Sequence, residues 1–176
     1  MPKTGKKLSD VSSEDFYNQI SKGYDELHRE EQLKKLKIIS QHIKPKQNKT
    51  LLDVGCGTGI STKFWKCKAI GIDPSRELIK ICGRKCRLGR AEDLPFKDRS
   101  FDYVISVTAI QNFDDMEKGL KEMKRVAKRD VVITALKKSP KISRIRKLIK
   151  ENFKIVREID EEKDLIFILK LSSLRS

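Results

Sequence analysis

The sequence lacks any apolar run close to the ~20 residues that a helix needs to span a bilayer, and its basic first residues are not followed by an apolar segment. We therefore expect neither a membrane-spanning segment nor a secretory signal, and a cytoplasmic location. Histidine and cysteine are also scarce, with two and four residues. A metal site formed by Cys82 and Cys86 would need further ligands, but both histidines lie in the N-terminal region. We expect no metal and, in a reducing cytosol, buried thiols rather than disulfides.

Acidic residues are too few to balance the basic ones, with 25 against 40, which gives a formal net charge of +15. This excess favours polyanionic partners such as RNA, DNA or an acidic membrane surface. A second interpretation is that abundant Lys, Glu and Ile with few Gln and Asn reflect a hot environment. That bias raises the content of charged residues, but it does not by itself produce such a large excess of positive charge.

The 176 residues suffice for one domain with one core. Residues 1–11 are predicted to form a basic mobile tail, and 12–44 to form helices that pack on the main domain, 45–176. The N-terminal pattern predicts two helices, with a break near Gly23 and an end before Pro45. Strands are predicted at 50–55, 68–73, 86–91, 101–108, 130–136, 153–159 and 164–171, and helices at 60–66, 76–84, 115–127 and 140–151.

Alternating apolar strands and amphipathic helices indicate an α/β fold with a doubly wound parallel sheet. Only residues 160–164 join the last two strands. A parallel crossover needs a dozen or more residues, so these strands must pair antiparallel. The predicted fold is a mostly parallel seven-stranded sheet with a terminal antiparallel hairpin.

The first of these strands runs into a turn with glycine at 55, 57 and 59. Such a turn lets a ligand lie directly on the backbone between a strand and a helix N-terminus. The dinucleotide fingerprint needs a glycine at position 60, where Ile60 stands, and the phosphate-loop pattern is absent. Asp73 ends the second strand 18 residues after Gly55, close to the ~20 expected for an acid that holds ribose hydroxyls. An ordinary Asp–Pro turn is the alternative.

The run D-V-G-C-G-T-G (53–59) resembles motif I of the class I S-adenosylmethionine-dependent methyltransferases. The stretches G-R-A-E-D-L-P-F (89–96) and S-F-D-Y-V (100–104) resemble further stretches of that family, whose sheet has seven strands and a terminal hairpin. The resemblance implies S-adenosyl-L-methionine as cofactor. Arg90 stands where the family has an acid for the adenine, which leaves the backbone at Ala91 as the expected contact.

The resemblance extends the cofactor site beyond the glycine turn. Asp53 is expected to orient the cofactor amine or a water, and Tyr24 to form part of a lid, with simple packing as the alternative for Tyr24. The predicted cofactor-binding residues are Tyr24, Asp53, Gly55, Cys56, Gly57, Gly59, Asp73, Pro74, Arg90, Ala91, Glu92, Val107 and Thr108.

The exit of the fourth strand is predicted to bind the methyl acceptor, because ligands lie beyond the carboxyl ends of parallel strands. Gln111, Asn112 and Phe113 suit a planar base, by stacking and edge hydrogen bonds. The alternative is that Asn112 caps the next helix and Phe113 packs. Residues 137–150 contain no acid, and Lys141, Arg144 and Lys147 are predicted to contact phosphates, unless they form a solvated helix face.

The functional prediction is in-line methyl transfer to a base of tRNA or ribosomal RNA, with no residue assigned as catalytic because a ring nitrogen needs no strong base. The absence of N-P-P-[YF] disfavours methylation of exocyclic amines. Two alternatives stay open, a small-molecule methyltransferase and a non-catalytic RNA-binding protein that keeps the cofactor fold. Enzymes similar to this one often bind a small zinc-containing activator protein by sheet-edge pairing, so such a partner is expected beside RNA.

Overall fold

The computed structural model describes the backbone of residues 13–172 and the side chains from residue 25 to residue 172. The predicted tail, 1–11, lies outside the described residues. The first element is one long helix, α1 (Ser13–His42), so the predicted break at Gly23 is wrong. A glycine inside a helix costs only about 1 kcal/mol relative to alanine. The burial of Leu36 and Ile39 further along the helix outweighs that cost.

The remaining elements alternate as predicted. They are β1 (Thr50–Val54), α2 (Ile60–Phe64), β2 (Lys68–Asp73), α3 (Arg76–Cys82), β3 (Cys86–Leu88), β4 (Phe101–Val107), a 3₁₀-helix (Ile110–Asn112), α4 (Met116–Val126), β5 (Ala127–Leu136), α5 (Ile142–Asn152), β6 (Phe153–Asp160) and β7 (Asp164–Leu171). The seven strands form one sheet in the order β3-β2-β1-β4-β5-β7-β6. Strands β1 to β5 pair in parallel, whereas β7 is antiparallel to both β5 and β6. The predicted fold class is therefore confirmed.

Two apolar layers cover the sheet. On one face, Leu36 and Ile39 of α1, and Ile43 just after it, pack with Trp65 against strands β1, β4, β5 and β7. On the other face, α4 and α5 bury apolar stripes that include Leu120 and Ile145. Because both faces are covered, the ends of the strands are the part of the sheet left for a ligand. The division at 44/45 into N-terminal helices and catalytic domain stays a prediction.

Among the described residues, no helix combines the length and the apolar character that crossing a bilayer requires.

The cysteines differ from the sequence-based expectation. Cys82, at the end of α3, and Cys86, at the start of β3, form a disulfide, whereas Cys56 and Cys67 are free. The short turn between α3 and β3 brings the two Cα atoms to 5.9 Å, which is within the range that a disulfide needs. The prediction of buried thiols is therefore wrong for this pair and right for Cys56, whereas the free thiol of Cys67 is only half-buried.

Replacing Gly23 by alanine tests the continuity of α1. A Cβ at this position meets nothing within 4 Å, so Gly23→Ala is expected to raise the free energy of unfolding by up to about 1 kcal/mol, through helix propensity. Urea denaturation followed by far-UV circular dichroism measures the change. The matched control is Gly119→Ala in α4, which should destabilise because its Cβ would lie 2.7 Å from the Phe113 ring. Loss of stability in Gly23→Ala would indicate that the helix breaks there.

Candidate active site

A cavity of about 510 Å³ lies at the carboxyl ends of the central strands, beneath α1. Of the predicted site residues, it is lined by Asp53, Gly55, Cys56, Gly57, Asp73, Pro74, Arg90, Ala91, Glu92, Val107, Thr108, Asn112 and Phe113. Gly59, Gln111, Lys141, Arg144 and Lys147 are not among the lining residues. The side chain of Tyr24 lies outside the described residues. One cavity thus unites most positions of the two predicted subsites.

The glycine turn approaches the cavity with its bare backbone. Gly57 has a φ of 54°, and a Cβ built there meets nothing within 4 Å, so the space beside it is open to a ligand. Gly55 serves a different purpose, because a Cβ there would lie 2.5 Å from the Cβ of Ala109, just after β4. The turn after β1 and the chain leaving β4 can therefore approach each other only because residue 55 has no side chain.

Asp73 is fixed between the glycine turn and the start of α3. Its Oδ2 accepts a hydrogen bond from the Gly57 amide at 2.9 Å, and its Oδ1 accepts one from the Ser75 amide at 2.9 Å. The residue is 8% exposed and lines the cavity. Each carboxylate oxygen keeps a second lone pair, so this rigid carboxylate can still accept from two neighbouring hydroxyls. That geometry fits its predicted contact with a ribose.

Asp53 is fully buried at the end of β1. Thr62 Oγ1 donates to its Oδ2 at 2.8 Å, while its Oδ1 has no partner among the described residues. Burial raises the pKa of this carboxyl to about 6. Asp53 lines the cavity, but its Oδ1 is fully covered by protein, so the contact with an ammonium group stays a prediction.

Arg90, which stands where an acid was expected, forms ion pairs with Glu92 and Asp114. Glu92 also accepts from the Asp115 amide at 3.1 Å. These contacts tie the segment after β3 to the start of α4, at the mouth of the cavity. The buried Ala91 lines the cavity between them, which is compatible with the predicted backbone contact there.

At the exit of β4, Asn112 and Phe113 line the cavity, but Gln111 turns away from it. Gln111 Nε2 donates to the Thr108 carbonyl at 2.9 Å. The suggestion that Asn112 caps the next helix is wrong, since Asp115 is the N-cap of α4 and accepts from the Lys118 amide. Lys141 Nζ donates to the Gln111 carbonyl at 2.9 Å, so this basic residue of the 137–150 segment reaches the edge of the acceptor side.

Sequence reasoning missed part of the cavity wall. The additional lining residues are His28, Gln32, Thr58, Ile60, Ser61, Ile72, Leu78, Gly89, Ala109 and Asp114. His28 and Gln32 lie four residues apart on α1, so they share one helix face. That spacing was visible in the sequence, but nothing in it indicated that this face meets the end of β4.

The strand order, the glycine turn after β1 and the acid after β2 together define a class I methyltransferase-type domain, a Rossmann-like fold. Residues 52–135 match a family described as a methyltransferase domain (Methyltransf_11). Residues 52–135 of this chain therefore form a domain of the class I S-adenosylmethionine-dependent methyltransferase type.

Two curated relatives illustrate the similarity. The chain is 36% identical over 123 residues to the uncharacterized protein MJ1252 of Methanocaldococcus jannaschii, covering 66% of this chain and 47% of the relative. It is 35% identical over 89 residues to a demethylmenaquinone methyltransferase of Thermotoga maritima, covering 45% of this chain and 39% of that enzyme. The chain thus spans about half the length, or less, of these relatives.

One solved structure resembles this fold over most of the chain. It is a complex between the Haloferax volcanii Trm112 methyltransferase activator and the putative methyltransferase, with a TM-score of 0.71 and 15% identity, covering 86% of this chain and 95% of that one. At that identity the likeness shows the fold alone.

S-adenosylmethionine is the cofactor that this family implies, and the residues present fit it. The open space at Gly57 suits close contact with a ligand, and Asp73 offers its free lone pairs. Asp53 adds a carboxylate to the cavity lining.

The raised pKa of Asp53 predicts a pH-dependent stability. The pKa of this carboxyl is about 6 in the folded protein, above its ordinary value of 3.8, so the folded state holds the proton more tightly and gains its full stability below the unfolded pKa. This contribution is lost as the pH rises through about 6, and the ionised group then costs on the order of 3 kcal/mol. Asp53→Asn should therefore gain stability over the wild type between about pH 4 and pH 7, as measured by urea denaturation without cofactor. A difference that does not change with pH would contradict the raised pKa.

Asp73→Ala is expected to weaken S-adenosylmethionine binding by at least about 100-fold, since two hydroxyl contacts to a charged acceptor contribute roughly 1.5–3 kcal/mol each. It should also lower the free energy of unfolding by about 1–3 kcal/mol, because the Gly57 and Ser75 amides lose their acceptor. Calorimetry and denaturation measure the two effects. Glu77→Ala, at a nearby exposed acid, is the control. Unchanged cofactor affinity in Asp73→Ala would refute the ribose assignment.

Proposed function

We propose that this protein transfers the methyl group of S-adenosylmethionine to a small planar acceptor. The observation that carries the proposal is the shape of the site, a single cavity of about 510 Å³ with α1 lying across its acceptor side. Cavities of this size are typical of small-molecule sites. An acceptor that shares this space with the cofactor must itself be compact.

The acceptor side offers both stacking and hydrogen bonding. Phe113 contributes an aromatic ring to the cavity lining, and Asn112 and Gln32 contribute amide groups. An aromatic ring beside amide groups suits a flat acceptor with polar edges. The cofactor supplies a sulfonium-bound methyl that is already electrophilic, so the protein's part is to hold the acceptor in line with it and exclude water.

The names of relatives point in the same direction. Besides the demethylmenaquinone methyltransferase, the chain is similar to an ajmaline N-methyltransferase of Rauvolfia serpentina, at 35% identity over 108 residues. Both names describe small acceptors. This similarity supports the small-molecule alternative over the RNA acceptor that the charge alone favours.

RNA is kept as the second candidate because of one observation, the contact of Lys141 with the edge of the acceptor side in a chain with a net charge of +15. Part of the basic α5 surface is neutralised, however. Arg146 pairs with Glu158, and Lys147 lies 3.9 Å from Glu151. These pairs weaken the argument that the helix serves to bind phosphates.

We also propose that a protein partner pairs with β3, in line with the activator complex of the similar fold. Strand β3 is at one edge of the sheet, so one side of it is free for pairing. Two apolar residues, Ile81 of α3 and Leu88 of β3, are 64% and 44% exposed on this side. An unpaired strand flanked by exposed apolar side chains is a typical site for strand addition.

Transfer of labelled methyl from S-adenosylmethionine to fractionated extracts tests the acceptor. Label is expected in the small-molecule fraction, and the triple variant Lys141→Ser/Arg144→Ser/Lys147→Ser should label it at the wild-type rate. Label in an RNA fraction, lost in the triple variant, would reject the small acceptor and favour RNA. Absence of label in every fraction despite cofactor binding, with label restored by adding a Trm112-type protein, would support the partner proposal.

A further inference from the structure

Thr108 follows the last residue of β4 and has a φ of 54°. A β-branched residue rarely adopts this left-handed conformation, and such residues persist only where surrounding contacts hold them. Thr108 also lines the cavity. The contacts that hold Thr108 in this conformation therefore bear on the shape of the acceptor side of the site.

A buried polar cluster holds Thr108. Lys35 Nζ of α1 donates to Thr108 Oγ1 at 2.5 Å, and this hydroxyl donates to Asp164 Oδ2 of β7 at 2.7 Å. Lys35 and Asp164 form an ion pair at 3.3 Å and are only 5% and 1% exposed. The amide of Thr108 donates to Thr134 Oγ1 of β5 at 2.8 Å. We call Lys35, Thr108, Thr134 and Asp164 the latch.

The latch leaves Thr108 no free polar group. Its hydroxyl lies within hydrogen-bond distance of three side chains, its amide binds Thr134, and its carbonyl accepts from Gln111 Nε2. Thr108 is therefore not placed to bind a ligand through its side chain. Its conformation instead turns the chain out of β4, so that Ala109, Asn112 and Phe113 form the cavity wall.

The same cluster fixes α1. Lys35 lies one turn after Gln32 and about two turns after His28, and both of these residues line the cavity. Lys35 thus joins α1 to Thr108 at the end of β4. The ion pair of Lys35 with Asp164 joins the same helix to β7.

We propose that Lys35 and Asp164 are positioning residues for methyl transfer. They hold Thr108 in its left-handed conformation, and thereby hold the 109–113 segment and α1 in the arrangement that presents the acceptor to the methyl group. This inference rests on the proposed methyl transfer, but the position of the wall can be measured without an acceptor.

Stability alone does not account for the latch. A buried ion pair stabilises a fold little compared with apolar residues of similar size, whereas removal of one partner leaves an uncompensated charge. The double variant Lys35→Met/Asp164→Leu therefore removes the latch with its charges balanced, and it is expected to fold. Lys34→Met/Glu162→Leu makes the same substitutions at the neighbouring exposed ion pair of 3.0 Å and is the matched control.

Hydrogen exchange of backbone amides measures how firmly the 108–113 segment is held. In Lys35→Met/Asp164→Leu, the amides of Thr108, Asn112 and Phe113 are expected to exchange at least about tenfold faster, because the strained turn loses what holds it. The Gly55 amide, which donates to the Ile72 carbonyl across β1 and β2, should exchange as in the wild type. The control pair should change none of these amides.

A second change separates positioning from general loosening. Glycine adopts a positive φ without strain, so adding Thr108→Gly to the double variant should restore slow exchange at Asn112 and Phe113 at least in part. Binding of S-adenosylhomocysteine, measured by calorimetry, should stay within about threefold of wild type in the double variant. Its kcat on the fraction that the wild type labels should fall at least about tenfold. This split between cofactor affinity and rate is not expected from a merely structural role.

Unchanged exchange at Thr108, Asn112 and Phe113 would overturn the proposal, as would uniform acceleration that includes Gly55. If the double variant does not fold, Thr134→Val gives the decisive measurement, because it removes the acceptor of the Thr108 amide at nearly constant volume. Faster exchange at the same three amides would support the latch, and wild-type exchange would reject it. If the wild type methylates nothing, the methyl-transfer proposal fails separately, while the exchange data still decide whether the latch positions the wall.

Discussion

One backbone carbonyl organises the cofactor side of the cavity. The amides of Gly55 and Cys56 both donate to the carbonyl of Ile72, at 2.8 and 3.0 Å, so the turn after β1 stays attached to the end of β2. This attachment places Asp73 where it accepts from the Gly57 amide. The acid and the bare glycine backbone thus face the same space because the strands are parallel neighbours and end together. The chemistry of the site follows from this pairing rather than from any long side-chain reach.

Asp53 is the residue of the site whose burial most clearly destabilises the folded state. A carboxyl with one unpartnered oxygen, deep at the end of a central strand, is the arrangement that folding alone would avoid. Its other oxygen accepts from Thr62 Oγ1, which offsets part of that penalty. Sites that bind charged ligands often keep such local instability, and the rest of the fold compensates with two covered sheet faces.

The parts of the structure that sequence could predict are local. Three features act within a few tens of residues: the strand periodicity, the short 160–164 connection and the spacing from Gly55 to Asp73. They are sufficient to predict the sheet and most of the cavity lining. The latch could not be predicted, since Lys35 meets Thr108 and Asp164 across 73 and 129 residues. A lysine in an amphipathic helix gives no sign of burial. The predictions at Gly23 and at the Cys82–Cys86 pair were wrong for a different reason. A general preference of glycine and a general rule about cytosolic thiols were applied at positions where helix packing and a tight turn determine the outcome.

The acceptor side of the proposed site extends beyond the part of the chain that the family match covers. Residues 52–135 contain the glycine turn and Asp73, which hold the cofactor in the proposed site, and the exit of β4, which forms part of its acceptor side. Helix α1, with His28, Gln32 and Lys35, precedes this range, and Asp164 follows it. The proposed acceptor side therefore combines Asn112 and Phe113 of the matched range with residues of α1 outside it. Similarity can define the reaction class while the acceptor must be inferred from α1 and its contacts with β4 and β7.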